Sequence, residues 1–133
     1  MLSDAVGIAL LFCDHLVEEK NSSKKTLVGI FSVIFGQKFP LVFRPFWIYA
    51  SLTNLVGEHP FAINIVSDVA KNVVFSAGGR MNVKGQDAVV ELIIPVQLIT
   101  FLEPGKYGVT LHVDGNTLLS RVLVIRESTE TKI

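Results

Sequence analysis

The amino-acid sequence predicts an all-β fold, a two-sheet antiparallel sandwich of about eight or nine strands, and three observations point there. No window of about 11–18 residues carries an apolar stripe at helical spacing with a polar face opposite it. Short runs rich in Val, Ile, Leu and Phe alternate with a period of two instead. Clusters of Gly, Pro, Asn and Asp punctuate these runs at intervals of about 8–12 residues, the spacing of a sandwich with Greek-key connections. A closed barrel shares the same alternation and is the alternative.

The first strand falls on residues 5–13, an uninterrupted apolar run. Residues 18–25 (EEKNSSKK) mix acids, bases and serines and read as the solvated tip of a hairpin that returns through 26–31. Residues 37–45 hold Pro40 and Pro45 and suggest a crossover between sheets. The clearest strand is 46–54, with Phe46, Ile48, Ala50 and Leu52 on one face and Trp47, Tyr49, Ser51 and Thr53 on the other. After a turn at 56–59, Phe61, Ile63 and Ile65 repeat the period, so these two segments are expected to pair as antiparallel neighbours.

Residues 72–76 form a short strand closed by Gly78 and Gly79, and 88–94 puts Val90, Leu92 and Ile94 on one face with Glu91 on the other. Glu103-Pro104-Gly105 is a turn signature, because Pro presets φ and Gly supplies a positive φ. It leads into 107–113, where Tyr107, Val109, Leu111 and Val113 share a face. Asp114-Gly115 then marks a tight hairpin, and 117–125 returns. The polar tail, 126–133, is expected to fray from an otherwise single domain spanning 1–133.

Composition excludes several classes. Twelve basic residues balance twelve acidic ones, without the basic surplus that nucleic-acid binding requires. Half of the 133 residues are apolar and 18% are charged, which is not the composition of a disordered chain. Mean hydropathy is +0.50, yet the longest uncharged runs are 13 residues (45–57) and 12 residues (26–37). A spanning helix needs about 20, so no membrane segment is expected. Residues 5–13 are preceded by Asp4 and by no Lys or Arg, unlike a secretory signal, and Phe12 stands where a lipoprotein acylation site has a small residue. A single cysteine, Cys13, permits no internal disulfide and suits a cytoplasmic setting.

Three stretches, DAVGIALLFCDHLVEE, TLVGIFSVIF and FPLVFRPFWIYASL, together with the closing FLEPGKYGVTLHVDGNTLLSRVLVI, resemble a prokaryotic family of uncharacterised β-sandwich proteins, a domain of unknown function with an Ig-like closing hairpin. The resemblance implies a sandwich fold and an intracellular bacterial or archaeal origin, and it carries over no catalytic residue. Tyr107, two residues after Gly105, is also placed to send its hydroxyl back to the preceding corner, as in Ig-like domains.

Candidate chemistry is sparse. Cys13, Asp14 and His15 are adjacent, but neighbours on a strand point to opposite faces and do not converge, so Cys13 reads as a buried structural thiol. His112 and Asp114 share a strand face and would gather with Asp14 and His15 only if the first and penultimate strands were neighbours; His59 is the third histidine. No HExxH, CxxC, GxGxxG, P-loop or GxSxG pattern occurs, so no cofactor or metal is expected and the balance leans away from an enzyme. Trp47 and Tyr49 are the candidate interface: they face away from the core unless a second layer, or a loop such as 37–44, covers them. The expectation is a non-enzymatic sandwich that self-associates into a homo-oligomer or binds a protein partner through this aromatic face. A small-ligand, carbohydrate-like or hydrolytic sandwich using the same face is the alternative.

Overall fold

The structure, a computed structural model, describes residues 4–129. Among them there is no helix, and eleven strands occur: β1 (Val6–Glu18), β2 (Lys25–Phe31), β3 (Val33–Gly36), β4 (Leu41–Phe43), β5 (Phe46–Thr53), β6 (Gly57–Ser67), β7 (Val73–Val83), β8 (Val90–Val96), β9 (Ile99–Phe101), β10 (Gly105–Val113) and β11 (Asn116–Glu127). The count exceeds the expected eight or nine because β3, β4 and β9 span only three or four residues each. Runs that short show no readable alternation.

The strands make three sheets, ordered β2-β1-β5-β8, β3-β11-β10-β6-β7 and β4-β9. All pairs are antiparallel except β3 with β11. One core draws on both larger sheets. β5 supplies Phe46, Ile48, Ala50 and Leu52, β8 supplies Leu92, Ile94 and Val96, and β10 supplies Tyr107, Val109, Leu111 and Val113, all in the period-two pattern of half-buried strands. Phe12, Phe31, Phe43 and Phe46 add an aromatic cluster with ring centroids 5.4–6.2 Å apart.

Three expectations need correction. β5 and β6 are not neighbours: β5 pairs with β1 and β8, β6 with β10 and β7. Positive φ at Asn54 (68°) and Gly57 (93°) steers the chain out of one sheet and into the other. Gly78 and Gly79 do not close a strand but lie inside β7, opposite Ala62 and Phe61. A Cβ at Gly78 would come 3.0 Å from the Phe61 carbonyl oxygen, so the glycine serves close approach rather than a turn. The chain does not leave the sheet at residue 126 either. Arg126 and Glu127 pair with Phe35 and Gly36, and the Ser128 N–H donates to the Gly36 carbonyl at 2.8 Å; residues 130–133 of the expected tail lie outside the described ones.

The Tyr107 corner forms as the sequence suggests. Its hydroxyl donates to the Glu103 carbonyl at 2.6 Å, and its ring meets Phe101 edge-on at 5.0 Å. Burial pushes the phenol's pKa up, so it remains a donor at any ordinary pH. Tyr107→Phe is therefore expected to lose about 1 kcal/mol of stability, read as a lower urea midpoint at unchanged slope.

Candidate functional site

Because the even-numbered residues of β5 fill the core, Trp47 and Tyr49 occupy the opposite face of the four-stranded sheet. Trp47 stands between Cys13 of β1 and Pro95 of β8, and Tyr49 between Leu11 and Ile93. Both are half-buried. The Tyr49 hydroxyl donates to a carboxylate oxygen of Glu91, whose other oxygen takes Lys25 Nζ at 2.8 Å. Lys25 also reaches Glu18 at 3.3 Å and donates to the Ser23 carbonyl at 3.0 Å.

Lys25 and Glu91 belong to the two edge strands, β2 and β8, with β1 and β5 between them. Lys25 is level with Glu18, whereas Glu91 is level with Ser51 and Ala9. In a flat sheet the stretch from Ala9 to Glu18 would separate them by roughly 30 Å along the strands alone, at about 3.3 Å per residue. Their ion pair therefore requires the β1–β2 hairpin to curl back across the outer face. Gly29, at φ 71°, supplies irregular backbone within β2, and its α-carbon packs against Asp14, whose Oδ2 would lie 2.6 Å from an added Cβ.

Burial along the hairpin follows this geometry. Leu16, Leu27 and Lys25 are partly buried, while His15, Val17, Thr26 and Val28 on the alternate face are exposed. Beneath the cover, Cys13 is 0% exposed and Ser51 2%. Through Lys25 and Glu91 the hairpin is thus tied to the Tyr49 hydroxyl on this face. Residues 18–24 are exposed, as a hairpin tip is expected to be, and only Lys25, with its side chain 12% exposed, turns away from solvent.

The electrostatics are those of a structural tie. Lys25 and then Tyr49 hold the Glu91 carboxyl below its usual range. Glu91 raises the Lys25 ammonium, and burial followed by the Glu91 bond raises the Tyr49 phenol. Burial, reinforced by Asp14, pushes up the Cys13 thiol, the opposite of what a nucleophilic cysteine needs.

The histidine cluster considered from sequence does not assemble. β1 and β10 lie in different sheets, which separates His15 and Asp14 from His112. Asp14 accepts from Arg44 Nη2 at 2.7 Å, and His112 Nδ1 sits 3.5 Å from the Thr117 hydroxyl. Asp114 turns to His59, with 2.8 Å between its Oδ2 and Nδ1. Among the described residues no group of three or more His, Cys, Asp or Glu is arranged to hold a metal ion. Sequence reasoning missed the His59–Asp114 and Lys25–Glu91 pairs, which join residues far apart in the chain and carry no local signal.

These features define an all-β protein whose inter-strand polar groups are joined in pairs and short networks. A model of DUF6941, a family of unknown function, matches residues 8–126, and the chain belongs to that family. No curated protein matches it. Among solved structures, it is similar to the Pseudomonas fluorescens alkylpurine DNA glycosylase AlkC bound to DNA containing an abasic site analog, at 12% identity and a TM-score of 0.48. The match covers 88% of this chain and 30% of that one, and it is too loose to bear on function. No helix among the described residues is long and apolar enough to cross a membrane.

The lowered Glu91 carboxyl carries a pH signature. A depressed pKa contributes stability that is complete above about pH 4.5 and is lost as pH falls through the lowered value. Glu91→Gln is expected to lose about 1 kcal/mol at neutral pH, leaving Lys25 with the longer Glu18 ion pair. It should also flatten the acid limb of stability below about pH 4.5, measured by urea titrations at a series of pH values.

Proposed function

We propose that this is a single-domain, two-sheet sandwich without enzymatic activity, and that it self-associates through the outward side of the curled β1–β2 hairpin. The observation that carries the reading is the exposure of Val17 (53%), Val28 (46%) and Ile30 (54%) on this hairpin, where β2 is also a sheet edge. Aliphatic side chains on a free edge strand favour pairing with another chain, because unpaired backbone and apolar surface are offered together. Ile30, Cys13 and Trp47 lie in one row across β2, β1 and β5, which puts Trp47 at the margin of the surface. Tyr49 has a supporting part, holding Glu91 and through it the hairpin. Wild-type protein is expected to sediment as a dimer or larger species. Val28→Asp should shift it to monomer by placing a charge in the contact, and Trp47→Ala should weaken association. A wild-type monomer at the highest attainable concentration would remove the proposal.

A further inference from the structure

A second feature stands apart from this face. A cavity of about 580 Å³ opens where the β10–β11 turn meets the segment entering β6, walled in part by Leu55, Val113 and Leu118. Asp4, His59 and Asp114 line it as well. His59 Nδ1 lies 2.8 Å from Asp114 Oδ2, and Nε2 lies 2.9 Å from the Val56 carbonyl oxygen. A carboxylate and a carbonyl are both acceptors, so both bonds form together only when each ring nitrogen carries a proton, that is, in the imidazolium form. This arrangement does not suit a general base, because neither nitrogen keeps a free lone pair.

We propose that His59 is a proton-controlled latch: protonated, it holds the β10–β11 turn against the entrance of β6, and neutral, it releases the turn and widens the mouth of the cavity. Loss of either proton leaves a ring lone pair facing an acceptor, which turns an attraction into a repulsion. The turn residues Asp114 (φ 53°) and Gly115 (φ 80°) form a two-residue connection with few other ties. The Asp114 N–H bond to the Pro60 carbonyl, at 3.1 Å, is independent of pH and limits the motion to the tip.

Charges around the ring come from each side. Asp114 approaches from the hairpin, and Asp4 is a further wall residue of the cavity. On the strand side, His59 pairs with neutral Met81 of β7, while the neighbouring Arg80 opposes protonation and is itself bound to Glu58 at 3.2 Å. The Val56 carbonyl first and Asp114 second raise His59 above its ordinary value of 6.5. A raised pKa contributes stabilisation that is complete below about pH 6.5 and is lost as pH rises through the raised value.

Imidazole ¹⁵N NMR on the whole chain tests the latch, together with hydrogen-exchange protection factors for Gly115 and Asn116. The expected result is a doubly protonated His59 titrating above 6.5. Protection at the turn should fall across that titration, by about tenfold for each unit of elevation. In His59→Gln the protection should not change with pH, and in Asp114→Asn the His59 midpoint should drop. Titration of wild-type His59 at or below 6.5 would overturn the proposal, as would an equal loss of protection in His59→Gln.

Discussion

The arrangement of the molecule depends on how two partners divide β1. β5 pairs with its residues Val6–Cys13 and β2 with Phe12–Glu18, so the partners overlap only near Phe12 and Cys13. The N-terminal half of the strand is left with an open edge, where the sheet comes against β11. Arg121 reaches from β11 to donate to the Leu10 carbonyl at 2.9 Å, and its guanidinium sits 5.5 Å from the Phe12 ring centroid. Gly7 admits Leu119 in the same flank, where even a Cβ would lie 2.5 Å from the leucine. The C-terminal half of β1, released from β5, is free to curl with β2 over the outer face. One stagger thus brings β11 against the flank of β1 and carries Lys25 to Glu91 and Tyr49.

Polar groups complete what the stagger begins. Every buried side-chain nitrogen or oxygen among the described residues has a partner, which is what a well-formed interior requires. Their placement at strand junctions is informative. Tyr49, Glu91 and Lys25 join opposite edges of one sheet, Arg121 joins two sheets, and Tyr107 closes the corner before β10.

What could be read in advance follows from the range of the forces involved. The alternation of Phe46, Ile48, Ala50 and Leu52 is set by the pleat itself, so β5 and its two faces were legible. The Asp114-Gly115 turn and the Tyr107 corner were legible for the same reason, being fixed within a few residues. Partner choice was not, because the pairing of β5 with β1 and β8 is decided by long-range packing and by positive φ at Asn54 and Gly57. Gly78 and Gly79 misled because a missing Cβ serves a turn and a close approach alike. At the candidate site, the outward direction of Trp47 and Tyr49 was legible, but the Lys25 that ties the hairpin to Glu91 was hidden in a stretch of mixed charge.

The burial of Cys13 has a practical side. As the only thiol of the chain, fully enclosed between Trp47 and Ile30 in its row, it meets a solvent-borne thiol reagent only when this part of the sheet opens. Its rate of modification therefore reports the opening of this part of the sheet: the open fraction when reclosing is fast, the opening rate when the reagent outpaces it. The molecule carries its own reporter of that fluctuation, and no label has to be engineered to read it.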